Sequence, residues 1–347
     1  MDINKKIIIL FLSAIGFTLP ACDNDKHEDI PDGRVPITLS SSAFGDGGGM
    51  KLRAVPEFPN DQAIGVVSAF YNEGPPFDWT SYSDINNARA TVSSVTPDSI
   101  YYFAWDETKY WPFDDKPIVF MAYSPYPNGE SVILDATNSI LLLDLHEDMP
   151  DVLYAGINDT ANMVPYYKSL ASPPGPPVVL GIFNHVMSKL TIELYADDNM
   201  PENIVVSSLK VGTSRKTAEY HLERGSEGLI VNDIDESFIK NIVSENTAFK
   251  NQPIVDSLYL FPGTEDVTEV TIELLDLNAP TAPFSRTYMM SFFQNASGNG
   301  EPLTLQRGMN TTLRITVQGI PITSNDVILQ GVISPWNQKG NFGINIY

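Results

Sequence analysis

Thr191-Ile192-Glu193-Leu194-Tyr195 puts Ile192 and Leu194 on one side of an extended chain and Thr191, Glu193 and Tyr195 on the other. Successive side chains of a strand point to opposite faces, so this run suits a sheet with one face buried and one wet. Thr312-Leu-Arg-Ile-Thr-Val317 repeats the pattern. Working outward, alternating or continuously apolar stretches read as strands at 35–39, 63–71, 99–105, 117–123, 188–195, 204–211, 256–261, 267–275, 285–293, 311–318 and 327–334. Helical periodicity is scarce, and only 235–245 suggests a short helix inserted between strands. Clusters of Gly, Pro, Asn and Asp punctuate the runs, and the 26 prolines would break helices of any length. The expected class is all-β, of sandwich type.

At 347 residues and 43% hydrophobic content the chain can bury substantial cores and has room for about two domains. Its formal net charge of −22 argues against nucleic acid as a partner, because phosphate binding needs basic surface. Ser172-Pro-Pro-Gly-Pro-Pro177 is a stiff, extended stretch and the best boundary, unless it is a surface loop within one domain. It separates an N-terminal β-sandwich over 54–177 from a C-terminal one over 178–347. A looser segment, Ser41 to Pro59, contains Gly45-Asp-Gly-Gly-Gly49 and is expected to be open to proteolysis.

The first residues read as an address. Lys5 and Lys6 form a basic region, 7–17 an almost uncharged apolar one, and Leu19-Pro20-Ala21 ends on a small residue before Cys22, the only cysteine. The apolar run is too short for a comfortable membrane span. The pattern resembles a bacterial lipobox, with 1–21 as signal peptide and Cys22 lipidated; the alternative is an ordinary signal with an incidental cysteine. Asp-Asn-Asp-Lys-His-Glu-Asp follows Cys22 and, lacking apolar residues, reads as a tether. It also resembles the acidic export signal of Bacteroidales surface lipoproteins. With one cysteine no intramolecular disulfide is available, so burial and strand pairing must hold the fold.

Several strings occur together in a fixed order: Val35-Pro-Ile-Thr-Leu-Ser40, Arg53-Ala54, Asp61-Gln-Ala-Ile-Gly-Val66, Tyr110-Trp-Pro112 and Ile118-Val-Phe-Met-Ala-Tyr123. Asp151-Val-Leu-Tyr154, Phe183-Asn-His-Val-Met-Ser-Lys-Leu190 and Ile333-Ser-Pro-Trp336 continue the series. In that order they resemble the Bacteroidales fimbrillin family across nearly the whole chain. The resemblance implies two transthyretin-like β-sandwich domains in tandem and a role as a type V pilus subunit serving adhesion. It also implies a lipoprotein precursor cut by a trypsin-like or gingipain-like protease after an arginine beyond the first strand.

Arg53 stands at that position, with Ala54 as the new N-terminus, so 22–53 would be a propeptide comprising tether, first strand and loop. Arg34 is a rival site that would leave the first strand in place. Loss of a strand exposes unpaired backbone groups and an apolar groove. A neighbouring subunit can fill it by strand addition. The C-terminal region 327–347 has the alternation a donor needs, with Val327, Leu329, Val332 and Ile333 in one run and Phe342, Ile344 and Ile346 in another. These runs can equally complete their own domain. The implied partners are other fimbrial subunits, the lipid anchor in the outer membrane, the processing protease and a surface receptor.

No enzyme motif is present: no paired metal ligands, no nucleophile elbow and no phosphate loop, and no cofactor is expected. Tyr101, Tyr102, Trp105, Tyr110 and Trp111 suit a sandwich core or a sugar-stacking platform. His185, within an apolar run, reads as a hydrogen-bonded core histidine. Ser99, Thr160 and Ser257 match an Asp-Ser/Thr-aliphatic O-glycosylation pattern. Two other roles stay open: a fimbrial anchor subunit that keeps its lipid, and a surface glycan-binding lipoprotein that never polymerises.

Overall fold

A computed structural model describes residues 34–41, 62–71, 77–96, 100–127, 131–135, 137–155, 165–167, 177–232, 237–263, 268–280, 283–289, 304–317 and 327–335. The two alternating runs quoted first lie side by side as β11 (Ser188–Ala196) and β19 (Met309–Val317), parallel, with Ile192 opposite Leu313. β16 (Ile254–Leu260) pairs with the other edge of β11, and β20 (Val327–Pro335) with that of β19, both antiparallel. A second sheet has the order β15 (Phe238–Val243), β12 (Ile204–Thr213), β17 (Thr268–Asp276), β18 (Phe284–Met289). Leu190, Ile192 and Ile315 of the first sheet and Val211, Val270 and Ile272 of the second belong to one buried core. The alternation thus does what it predicts, turning one face of each sheet inward.

Within 235–245, where a short helix is expected, Phe238–Val243 is a strand. Its ladder with β12 shifts register between Leu209 and Lys210, opposite Val243 and Asn241. The extra residue, Ile242, breaks the period of two, which is why the sequence does not look like a strand.

The third sheet has eight strands, in the order β10 (Phe183–His185), β8 (Leu153–Ala155), β5 (Ile118–Ser124), β2 (Ala63–Phe70), β3 (Asn86–Val95), β4 (Tyr101–Trp105), β1 (Leu39–Ser41), β9 (Val178–Val179). Its two edge strands are only three residues apart in the chain, and Gly181 between them has φ +82°, a left-handed turn that suits glycine. The sheet therefore curls on itself, and Phe103 of β4 packs against Phe183 of β10 with ring centroids 6.0 Å apart. Inside the curl lie Ile37, Leu39, Ile64, Phe103, Phe120 and Phe183.

Ile118-Val-Phe-Met-Ala-Tyr123 is apolar without a break because both its faces are covered. Ile118, Phe120 and Ala122 join the inner cluster, while Val119, Met121 and Tyr123 join the core shared with the other sheets. The cover on that second face is a sheet of order β14 (Leu229–Val231), β13 (Thr217–His221), β7 (Ile140–Asp144), β6 (Val132–Asp135). Strands from both sides of residue 177 thus share sheets: β7 pairs with β13, and β9 and β10 lie in the eight-stranded sheet. Trp79 strengthens the join by donating its indole N–H to Glu223. Among the described residues no helix is long and apolar enough to cross a membrane.

Candidate functional site

The first strand is held along both of its edges. Val35 to Ser41 runs between β4 and the 109–111 segment on one side and β9 on the other. Ile37 and Leu39 are 2% and 1% exposed, so the inward positions are fully committed to the core. Val35 packs against the same cluster and Thr38 faces solvent, while at the end of the strand Ser40 and Ser41 are both buried.

Each rim contributes hydrogen bonds. Leu39, Ser40 and Ser41 pair antiparallel with Phe103, Tyr102 and Tyr101. Further back, Ile37 N donates to Lys109 O at 2.8 Å and Trp111 N to Val35 O at 2.9 Å. Between these stretches the Trp105 indole Nε1 donates to the Ile37 carbonyl at 2.7 Å. On the opposite rim β9 runs parallel, with Val178 N donating to Thr38 O and Leu180 N to Ser40 O, each at 2.8 Å. Pro36 has no N–H to offer and turns that position toward the rim ahead of Val178, where β9 has not yet begun. Tyr166 meets Phe120 edge to face and donates its hydroxyl to Val179 O at 2.9 Å.

Taking Val35–Ser41 away would strip β9 of its paired neighbour in the sheet, expose donors on both rims and open the apolar interior around Phe103 and Phe120. Such a slot can do one chemical thing well: accept another extended, alternately apolar strand. Among the described residues no cluster of three metal-binding side chains exists.

The sequence candidates fall as follows. Cys22, Arg53, Ala54, Phe342, Ile344 and Ile346 lie outside the described residues, as do Ser99 and Thr160. Arg34 is exposed and immediately precedes the strand. Val327, Leu329, Val332 and Ile333 lie in β20, opposite Val317, Ile315, Thr312 and Thr311 of β19. Ser257 sits within β16 with its hydroxyl 3.0 Å from that of Thr191, engaged in the sheet face. Tyr101 and Trp111 are core residues. Sequence reasoning missed Trp105 as a hydrogen-bond donor to the first strand; an indole beside a strand end was the only signal.

His185 is the hydrogen-bonded core histidine expected, its Nδ1 2.8 Å from Asp151 Oδ2. Burial pushes the Asp151 carboxyl above the usual carboxylate range, and His185 and Lys189 only partly offset this.

A model of the fimbrillin-like family matches residues 53–336. Among solved structures, a proposed cell adhesion protein from Bacteroides uniformis is similar at 17% identity, over 88% of this chain and 99% of that one, with a TM-score of 0.57. A second proposed cell adhesion protein, from Bacteroides ovatus, is similar at 14% identity over 88% and 99%, with a TM-score of 0.53. At these identities the likeness speaks for the fold. No curated protein matches the chain.

Proposed function

The chain belongs to the fimbrillin-like family, and from that premise we propose that it is exported as a surface lipoprotein and polymerises when a protease removes its first strand. As a family member it is a fimbrial, adhesion-related structural subunit and not an enzyme. In the proposed pathway Cys22 carries the lipid to the outer membrane, and cleavage after Arg53 releases 22–53. A strand from the 327–347 region of a neighbouring subunit then takes the vacated place. The mature subunit keeps two sandwich-type halves whose chain boundary falls near residue 177, although β9 and β10 beyond it complete the eight-stranded sheet and β13 pairs back onto β7.

The observation that carries this reading is the double-rimmed seat of Val35–Ser41. That strand is buried at Ile37 and Leu39, and it lies upstream of residue 53, where the family match begins. A propeptide strand that is later exchanged fits both facts. Of the aromatic residues that would make a glycan platform, Tyr101 and Trp111 lie in the core and the Trp105 indole is bonded to Ile37.

The deciding experiment is the N-terminal sequence of protein extracted from the cell surface, together with the Arg53→Ala variant. Ala54 at the N-terminus, and a longer membrane-retained form in the variant, is the expected result. Polymers built from chains that retain a lipidated Cys22 or begin at Val35 would overturn it.

A further inference from the structure

We infer that the ion pair between Lys240 and Asp256 closes one side of the sandwich built from the β11 and β12 sheets, so that an extended strand of a second copy is refused at β16 and at β15.

Among the described residues β16 has a ladder partner only in β11, and β15 only in β12. Both are therefore edge strands, and unpaired backbone groups along an edge invite another chain to pair. Each of the two carries a charge where its alternation calls for an apolar residue. Asp256 lies opposite Ile192, and Lys240 opposite Val211. Directly opposed residues share a face of the sheet, and Ile192 and Val211 belong to the core. Along β16 the same face continues through the buried Leu258 and Leu260. Each charge thus points inward from its own edge, and the two meet, Lys240 Nζ 3.4 Å from Asp256 Oδ2. Their side chains are 17% and 38% exposed, which puts the pair at the margin of the core, where an added strand would have to lie.

The pair also occupies the main chain of the edge. Ser257 N donates to Asp256 Oδ1 at 2.7 Å, and Lys240 Nζ donates to Ser257 O at 3.1 Å. An arriving antiparallel strand needs the N–H and the carbonyl of one residue together. To get them at Ser257 it would have to pull Lys240 away and cover Asp256 with no cation beside it. A covered, unpaired carboxylate costs more than the hydrogen bonds gained. Without the charges these edges would be inviting: Val255 of β16 and Ile239 of β15 are 56% and 51% exposed, and β-branched residues suit a strand interface. A bridge that served stability alone would have no bearing on whether copies of the chain associate.

The uncut full chain tests this apart from strand exchange, because its own first strand is still in place. Lys240→Met with Asp256→Val is expected to melt cooperatively and to self-associate at least about tenfold more tightly than the parent in sedimentation velocity. Reducing buffer keeps Cys22 out of the result. Val255 is two residues from Ser257, so by alternation its N–H lies on the same edge. Adding Val255→Pro removes that donor and is expected to restore the behaviour of the parent. Should the apolar pair not fold, Lys240→Gln with Asp256→Asn, which removes the charges at nearly constant shape, takes its place with the same expectation. A folded variant that associates no more than the parent, or association that Val255→Pro leaves unchanged, would overturn the inference.

Discussion

Arg307 Nε donates to the main-chain carbonyl of His185 at 2.8 Å, tying the approach to β19 to the end of β10 in a different sheet. The guanidinium also lies over the rings of Tyr154 and Tyr220, 4.9 and 5.5 Å from their centroids. Three sheets therefore meet on one side chain.

Arg307→Met keeps much of the apolar stem and removes both the donor and the cation. It is expected to lower stability by about 2–3 kcal/mol in denaturant titrations, from a lost charged hydrogen bond and two ring contacts. Arg307→Lys should recover only a fraction, since an ammonium cannot bond and stack in the same plane. Full recovery by lysine would reduce the role of Arg307 to simple charge.

Asp151 makes stability depend on pH in a direction opposite to the usual carboxylate. Burial raises its folded pKa above the unfolded value, so the folded state holds more protons in that window and stability falls as pH rises through it. Asp151→Asn should flatten this limb: the difference in Tm between variant and parent is expected to move in favour of the variant as pH climbs from about 4 to about 7. A difference independent of pH would show that the carboxyl does not titrate with folding.

Gly65 lies opposite Tyr123 in the β2–β5 ladder, and a Cβ there would overlap the fully buried Tyr123 ring. That ring is fixed from its far end by the hydroxyl, which donates to Asn87. Gly65→Val is expected to cost about 3 kcal/mol or more, through overpacking that the pinned ring cannot relieve. Thermal melts of Gly65→Val and of Gly65→Val with Tyr123→Phe should show partial rescue in the double variant; without it, the clash lies elsewhere.

Leu39→Ala empties an inward place of the first strand. The precursor is expected to lose about 2–4 kcal/mol, and after cleavage at Arg53 the released segment should dissociate faster than in the parent, as followed by size-exclusion chromatography. Equal dissociation rates would mean that Leu39 does not anchor the segment.

Where a strand buried one face and exposed the other, the sequence declared it: Ser188–Ala196 and Met309–Val317 extend the expected runs by only a residue or two. Asn86–Val95 escaped because its inward residues include Ala88 and Ala90, too small to stand out, and its ladders shift register twice, beside Val66 and beside Val92. Phe238–Val243 escaped because of its bulge. In the candidate site, the first strand was legible from Val35, Ile37 and Leu39, although the regular pairing begins only at Leu39. Its rims were not, since Val178, Lys109 and the Trp105 indole reach it from distant parts of the chain, and no local pattern records such partners.

A filament standing off a cell is dragged by moving fluid, and the load runs along its axis. A strand seated as Val35–Ser41 is, bonded along both edges by β4, Lys109 and Trp111 on one side and Val178 and Leu180 on the other, resists a pull along its own length in shear. All of its bonds must then stretch together, whereas a strand bonded on one edge and pulled sideways peels open bond by bond. The two rims thus give any strand lodged between them a mechanical strength that equilibrium affinity alone does not measure.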